Sequence, residues 1–134
     1  MPLTADRNTR KRDGDLFQFP AKAGVLIFAG SLAALDASSL LVPAAADTAL
    51  TIVGRAEETV DNRNGADGNL EGTVLRGCFC YANSSAADEI TRADINSSAY
   101  VVDDETLAKT NGTSSRPVAG IIMDVDDLGV WVKI

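Results

Sequence analysis

The chain contains no histidine. That absence removes the side chain that most often serves as a general base near neutral pH or as a metal ligand. It also removes every Ser-His and Cys-His nucleophile pair. Only two cysteines occur, Cys78 and Cys80. If both lie on one strand, two strand rises put their Cα atoms about 6.5–7 Å apart, at the far edge of disulfide geometry. Without histidine or a third thiol, one chain does not supply the four soft ligands of a structural zinc. The pair reads as small buried or half-buried apolar side chains, or as part of a disulfide or metal site shared between chains.

Basic residues are also scarce. Twelve Lys and Arg stand against 19 Asp and Glu, for a net charge of -7. This lacks the cationic footprint that a nucleic acid or an anionic membrane surface requires, so neither is expected as a partner. No apolar run approaches the roughly 18 residues needed to span a bilayer. The segment up to Asp15 is polar and charged, with no apolar stretch of signal-peptide type directly behind it, so secretion is not expected. The tripeptides Asn83-Ser84-Ser85, Asn96-Ser97-Ser98 and Asn111-Gly112-Thr113 accordingly read as polar turns rather than glycosylation sites. Aromatic residues make up 5% of the chain although hydrophobic residues reach 46%, and 11 glycines interrupt them. Such a composition suits thin sheets with many turns. A single domain of this length buries roughly 65–70% of its unfolded surface, so no metal or disulfide is needed to make it fold.

Charge is divided along the chain. Residues 1–15 hold Arg7, Arg10, Lys11 and Arg12 against Asp6, Asp13 and Asp15, whereas the remainder is strongly acidic. A segment of this kind cannot bury apolar surface and is expected to be an extended arm. Behind it, Leu16-Phe17-Gln18-Phe19-Pro20 places two phenylalanines on one face if extended. It reads either as the first core strand or as an anchor for a partner.

Short apolar runs then recur between turn signals. Gly24-Val25-Leu26-Ile27-Phe28-Ala29 is closed by Gly30-Ser31, with glycine where a type II′ hairpin wants it. Leu40-Leu41-Val42-Pro43 and Leu50-Thr51-Ile52-Val53-Gly54 are further strands, the first kept to an edge or an end by Pro43. The segment from Asn62 to Gly68 is turn chemistry throughout and is expected to be an exposed loop. A strand is expected over residues 72–81, with Val74, Arg76, Cys78 and Cys80 on one face. Ser85 followed by Asp88 resembles a capping box and predicts one short helix over residues 86–95. Asn111-Gly112 predicts a type I′ turn. The last stretch, from Ala119 to Ile134, pairs two apolar runs across Asp126-Asp127-Leu128-Gly129 as a hairpin. It places Val130, Val132 and Ile134 on the core face, and Trp131, the single tryptophan, on the other. Strands at this spacing, without a βαβ rhythm, indicate an all-β sandwich or barrel.

Only the acidic clusters Asp103-Asp104-Glu105 and Asp124, Asp126, Asp127 offer carboxylates for catalysis or a hard cation. Neither has the spaced ligands and terminal glutamate of an EF-hand, and hairpin turns that favour aspartate account for both. No phosphate-binding glycine loop occurs. No catalytic residue, metal ligand or cofactor is assigned. Trp131 and Tyr100 read as core or subunit-contact residues.

From residue 23 to 134 the order of features resembles small β-rich capsid decoration, or cement, proteins of bacteriophages. The resemblance is carried by Gly24-Val25-Leu26-Ile27 with Gly30, Val53-Gly54-Arg55-Ala56, Thr59-Val60-Asp61-Asn62, Gly65, Arg76-Gly77, Tyr100-Val101-Val102-Asp103-Asp104, Ala119-Gly120 and Gly129-Val130-Trp131-Val132. It implies a non-enzymatic virion protein, made in the bacterial cytoplasm, that binds the outer surface of the expanded head and ties neighbouring major capsid protein subunits together. It further implies a homo-oligomer, a trimer before a dimer. The expected organisation is an extended capsid-binding arm over residues 1–19, with Arg7, Arg10, Lys11, Arg12, Leu16, Phe17 and Phe19 as contacts. Residues 20–134 then form one all-β domain, a small, partly open, tulip-like β-barrel with one short helix. Trp131 and Tyr100 are the candidate oligomer contacts. The alternatives are a head-fibre or tail-associated β-module, or a small carboxylate-dependent enzyme.

Overall fold

Because glycine, proline or aspartate interrupts each apolar run after a few residues, the chain forms many short strands. The computed structural model describes residues 2–12 and 14–134. The strands are β1 (Leu16–Pro20), β2 (Leu26–Ile27), β3 (Leu32–Leu35), β4 (Leu41–Pro43), β5 (Thr51–Ala56), β6 (Val60–Asp61), β7 (Glu71–Leu75), β8 (Cys78–Asn83), β9 (Ser98–Val101), β10 (Thr106–Ala108), β11 (Val118–Asp126) and β12 (Gly129–Lys133). The fold is all-β, as the alternating pattern predicts.

Two large assemblies share the core, beside a two-stranded pairing of β2 with β6. Strands β10, β8, β12, β11 and β9 close into a barrel, while β1, β7, β5, β3 and β4 form a five-stranded sheet in that order. An isolated bridge between Ala21 and Leu41, with the Lys22 N–H donating to the Leu41 carbonyl, brings the sheet's two edges together at one end. The barrel interior is filled by Tyr81, Ala99, Val101, Leu107, Ile122, Val130 and Val132, and this cluster continues onto Leu32, Ala34 and Ile52 of the sheet. A second cluster, with Ile27, Ala33, Leu41, Val53, Val60 and Val74, lies on the sheet's other face. Successive residues of β3 therefore serve different clusters. Both faces of that strand are buried, which is why Leu32-Ala33-Ala34 is apolar without alternation.

The expected C-terminal hairpin is present, with β11 and β12 antiparallel and Asp126 opposite Gly129. Val130 and Val132 are fully buried, and Ile134 packs on the same cluster.

Several local expectations change. The run over residues 72–81 is two strands, not one: Gly77 separates β7 in the open sheet from β8 in the barrel. The single helix is replaced by two 3₁₀ turns, Ala86–Asp88 and Arg92–Asp94. Ser85 makes no side-chain cap, and the capping box is formed by Thr91 and Asp94 instead. Ile90 explains the change. It is buried, and both its N–H and its carbonyl bond the Asn83 side chain, which holds the backbone extended between the turns. Gly30 has the positive φ of a turn, but β2 pairs with β6 and not with β3. The Asn111-Gly112 segment is a wider loop with positive φ at Gly112, Thr113 and Ser114. No hairpin joins β10 to β11, since β9 lies between them in the barrel. The loop after Asn62 is exposed as expected, except for Asn62 itself, which is only 1% exposed. Its amide donates to the carbonyls of Lys22 and Ala66, at 2.9 and 3.0 Å, and more weakly to that of Ala21.

Candidate functional site

Two surfaces gather the residues singled out by sequence. The first runs from the N-terminal segment onto β1. Residues 2–12 are exposed throughout and form no strand or helix, so the cationic side chains of Arg7, Arg10, Lys11 and Arg12 all face solvent. Arg12 then turns back onto the body, its guanidinium 5.7 Å from the centre of the Phe17 ring. Arg12, Leu16, Phe17, Gln18, Glu71 and Thr73 line a shallow groove of about 530 Å³.

Residues 16–19 belong to the body rather than to the arm. They make β1, in antiparallel register with β7, and the Asp15 carbonyl accepts the Arg76 N–H at 2.7 Å. Phe17 and Phe19 share one side of β1, stack at 6.4 Å and pack half-buried on the second core cluster. Their apolar area is used within the fold, because odd-numbered residues of β1 face the cluster. Leu16, on the opposite side, remains 52% exposed. Of the aromatic and aliphatic contacts expected in the arm, Leu16 alone is a largely free apolar side chain. β1 is an edge strand of its sheet.

The second surface is the outer face of the barrel. Tyr100 on β9 and Trp131 on β12 are both half-buried there, with β11 between them. The Trp131 indole N–H donates to Oδ2 of Asp126 at 2.9 Å, and the Leu128 backbone donates to the other oxygen of the same carboxylate. The first of these bonds, aided by the second, holds Asp126 below the ordinary carboxylate pKa. Strand β11 adds apolar residues that the sequence reading did not single out: Val118, Ile121 and Met123 are 49%, 41% and 42% exposed. The signal was available, since residues 118–123 are apolar without alternation although only one face of the strand meets the core. Cys78 and Cys80 are free thiols on this outer face, opposite Lys133 and Trp131 respectively. Burial, then the charge of Asp126, pushes the Cys80 thiol up.

Of the carboxylate clusters, that of Asp124, Asp126 and Asp127 borders the outer barrel face, and that of Asp103 to Glu105 forms the turn between β9 and β10. In the Asp103 cluster, an Asp103 oxygen accepts the Glu105 N–H, and burial raises Asp104, helped by the neighbouring charge of Asp103. A groove of about 350 Å³ beside it is lined by Phe28, Gly30, Ser31, Asp104 and Glu105. Asp124 meets Arg92 at 3.5 Å, both largely exposed. Among the described residues, no three Cys, Asp or Glu side chains are grouped to hold a metal ion, and no helix is long and apolar enough to cross a membrane. Searches against protein-family models, curated proteins and solved structures find no match for this chain.

Proposed function

We propose that the protein is a structural virion component that binds the outer face of a phage capsid and ties neighbouring major capsid subunits together. The observation that carries this reading is the division of charge on the fold. An exposed segment bearing Arg7, Arg10, Lys11 and Arg12 leads directly into an edge strand of an otherwise acidic all-β body. Free backbone groups on an edge strand accept an added strand, which draws affinity from main-chain hydrogen bonds. The cationic segment supplies attraction to acidic edges of the shell, and Leu16 offers an apolar contact where the two meet. The acidic body, turned outward, keeps a crowded particle soluble.

Reinforcement then comes from multivalency. A homo-oligomer touching several capsid subunits makes its second contact at high effective concentration, so modest individual contacts suffice. The test is a chain lacking residues 1–12, which leaves β1 and its pairing with β7 intact. Its circular dichroism should match the full chain while co-sedimentation with expanded heads is lost. Undiminished co-sedimentation would overturn the arm reading.

A further inference from the structure

The outer barrel face carries a pattern that fits a second copy of itself. Ile121 of β11 stands opposite Lys133 of β12, and Asp124 stands opposite Trp131. All four side chains point outward, because the intervening Ile122, Val130 and Val132 are fully buried. A register shift at Met123 lets the two pairs sit side by side in spite of the extra residue on β11, with Met123 itself exposed between them. Neighbouring strands lie about 4.8 Å apart and alternate residues about 6.6 Å apart, so the four positions form a compact rectangle whose unequal sides the flexible Lys133 side chain can span. Its apolar members, Ile121 and Trp131, occupy one diagonal. Its opposite charges, Lys133 and Asp124, occupy the other.

From this block we infer that the barrel face associates with a second copy of the chain about a two-fold axis lying along the Ile121 to Trp131 diagonal. Such an axis maps each apolar residue onto its own counterpart and exchanges the ends of the charged diagonal. Lys133 of each copy then faces Asp124 of the other, so the contact is isologous and the ion pair occurs twice. A partner of different sequence would have no need of this self-complementarity. Trp131 is suited to the centre of the contact. Its indole is already held by Asp126, so little side-chain freedom remains to be lost on association. Val118 and Tyr100, cross-strand neighbours, extend the apolar face beyond Ile121. Asp124 is available to the second copy, since its contact with Arg92 at 3.5 Å joins two side chains 51% and 72% exposed and such pairs hold weakly.

The inference concerns the isolated chain and stands apart from the capsid reading, so the test uses no capsid. Sedimentation equilibrium of the full chain should give a dimer. Lys133→Asp places four carboxylates at the contact and should weaken association by at least about tenfold, as should the reversed change Asp124→Lys. The double variant Lys133→Asp/Asp124→Lys should recover the dimer. Quenching of Trp131 by acrylamide in the unaltered chain should rise as dilution separates the copies, a readout that stands even if a charge variant misfolds. A monomer at all concentrations, a trimer, a dimer indifferent to Lys133→Asp, a double variant without recovery, or quenching unchanged on dissociation would each overturn the inference.

Discussion

The indole Nε1 of Trp131 lies 2.9 Å from Oδ2 of Asp126, closing the last hairpin from its outer side. This bond is stronger to the charged carboxylate, and it lowers the Asp126 pKa from the ordinary 3.8. A depressed folded-state value means that the stabilisation is complete above the unfolded value and is lost as pH falls through the folded one. Trp131 emission should therefore hold steady from neutral pH down to about 4 and change only below it. Asp126→Ala should abolish that acid step and shift the neutral emission to the red. A fluorescence titration of the two chains reads both outcomes.

Asp61 should be the most acidic side chain with a resolvable titration. Its two oxygens take the Arg63 guanidinium at 2.8 and 2.7 Å, and these bonds, with the Arg63 N–H, hold its pKa down at about 2. Carboxyl carbon shifts followed by NMR should show a midpoint near that value. In Arg63→Ala it should return toward 3.8.

Asn62 should matter far more than Asn64, although both sit in the same polar loop. Replacing Asn62 with alanine takes the amide donor from the Lys22 carbonyl and leaves that of Ala66 only the Asn69 N–H, at a cost of about 1–3 kcal/mol. Asn64→Ala, at an exposed position, should stay within about 0.5 kcal/mol of the parent. Gly65→Ala should behave like the Asn62 variant, because an added Cβ would come within 2.1 Å of Asn62 Oδ1. Urea denaturation of the three chains separates the cases.

Glycine at 129 should be irreplaceable in a way that glycine at 30 is not. Both have positive φ, 139° and 88°. At Gly30 nothing lies within 4 Å of an added Cβ, so alanine there costs only the backbone term of about 1–2 kcal/mol. At Gly129 a Cβ would come within 2.3 Å of the Tyr81 carbonyl oxygen on β8. Gly129→Ala should lower the melting temperature further than Gly30→Ala, since the barrel seam between β12 and β8 must open to admit the methyl group.

The C-terminal hairpin was legible because a two-residue period, a glycine and acidic turn residues all point the same way over residues 119–134. Alternation also placed Val130 and Val132 inward and Trp131 outward. What it does not encode is which strands become neighbours. Thr106 pairs with Ala82 in parallel, a contact between segments distant in the chain that carries no local signal. The helix expected after Ser85 failed because the sequence shows a capping pair but not that Asn83 claims both backbone groups of Ile90. Phe17 and Phe19 had two open readings, and the second core cluster, invisible without the fold, decides for the strand. Asn62 and Asn64 look alike until the chain closes over one of them. On the outer barrel face, the block of Ile121, Asp124, Trp131 and Lys133 depends on a bulge at Met123 that no composition rule announces.

The place of β12 in the barrel also bears on the order in which the molecule can be built. It leaves the ribosome after the other strands of the barrel, yet it fills the gap between β8 and β11 and contributes Val130 and Val132 to the interior. Until it emerges, Tyr81, Val101, Leu107 and Ile122 have no lid on that side. The open sheet, whose strands all precede residue 76, faces no such wait. Synthesis thus imposes a sequence of events in which the sheet consolidates first. The barrel closes in one late, long-range step, the kind of step that sets a slow folding rate. A chain whose sheet has formed while the barrel is still open is then most vulnerable to aggregation, in the interval before β12 docks.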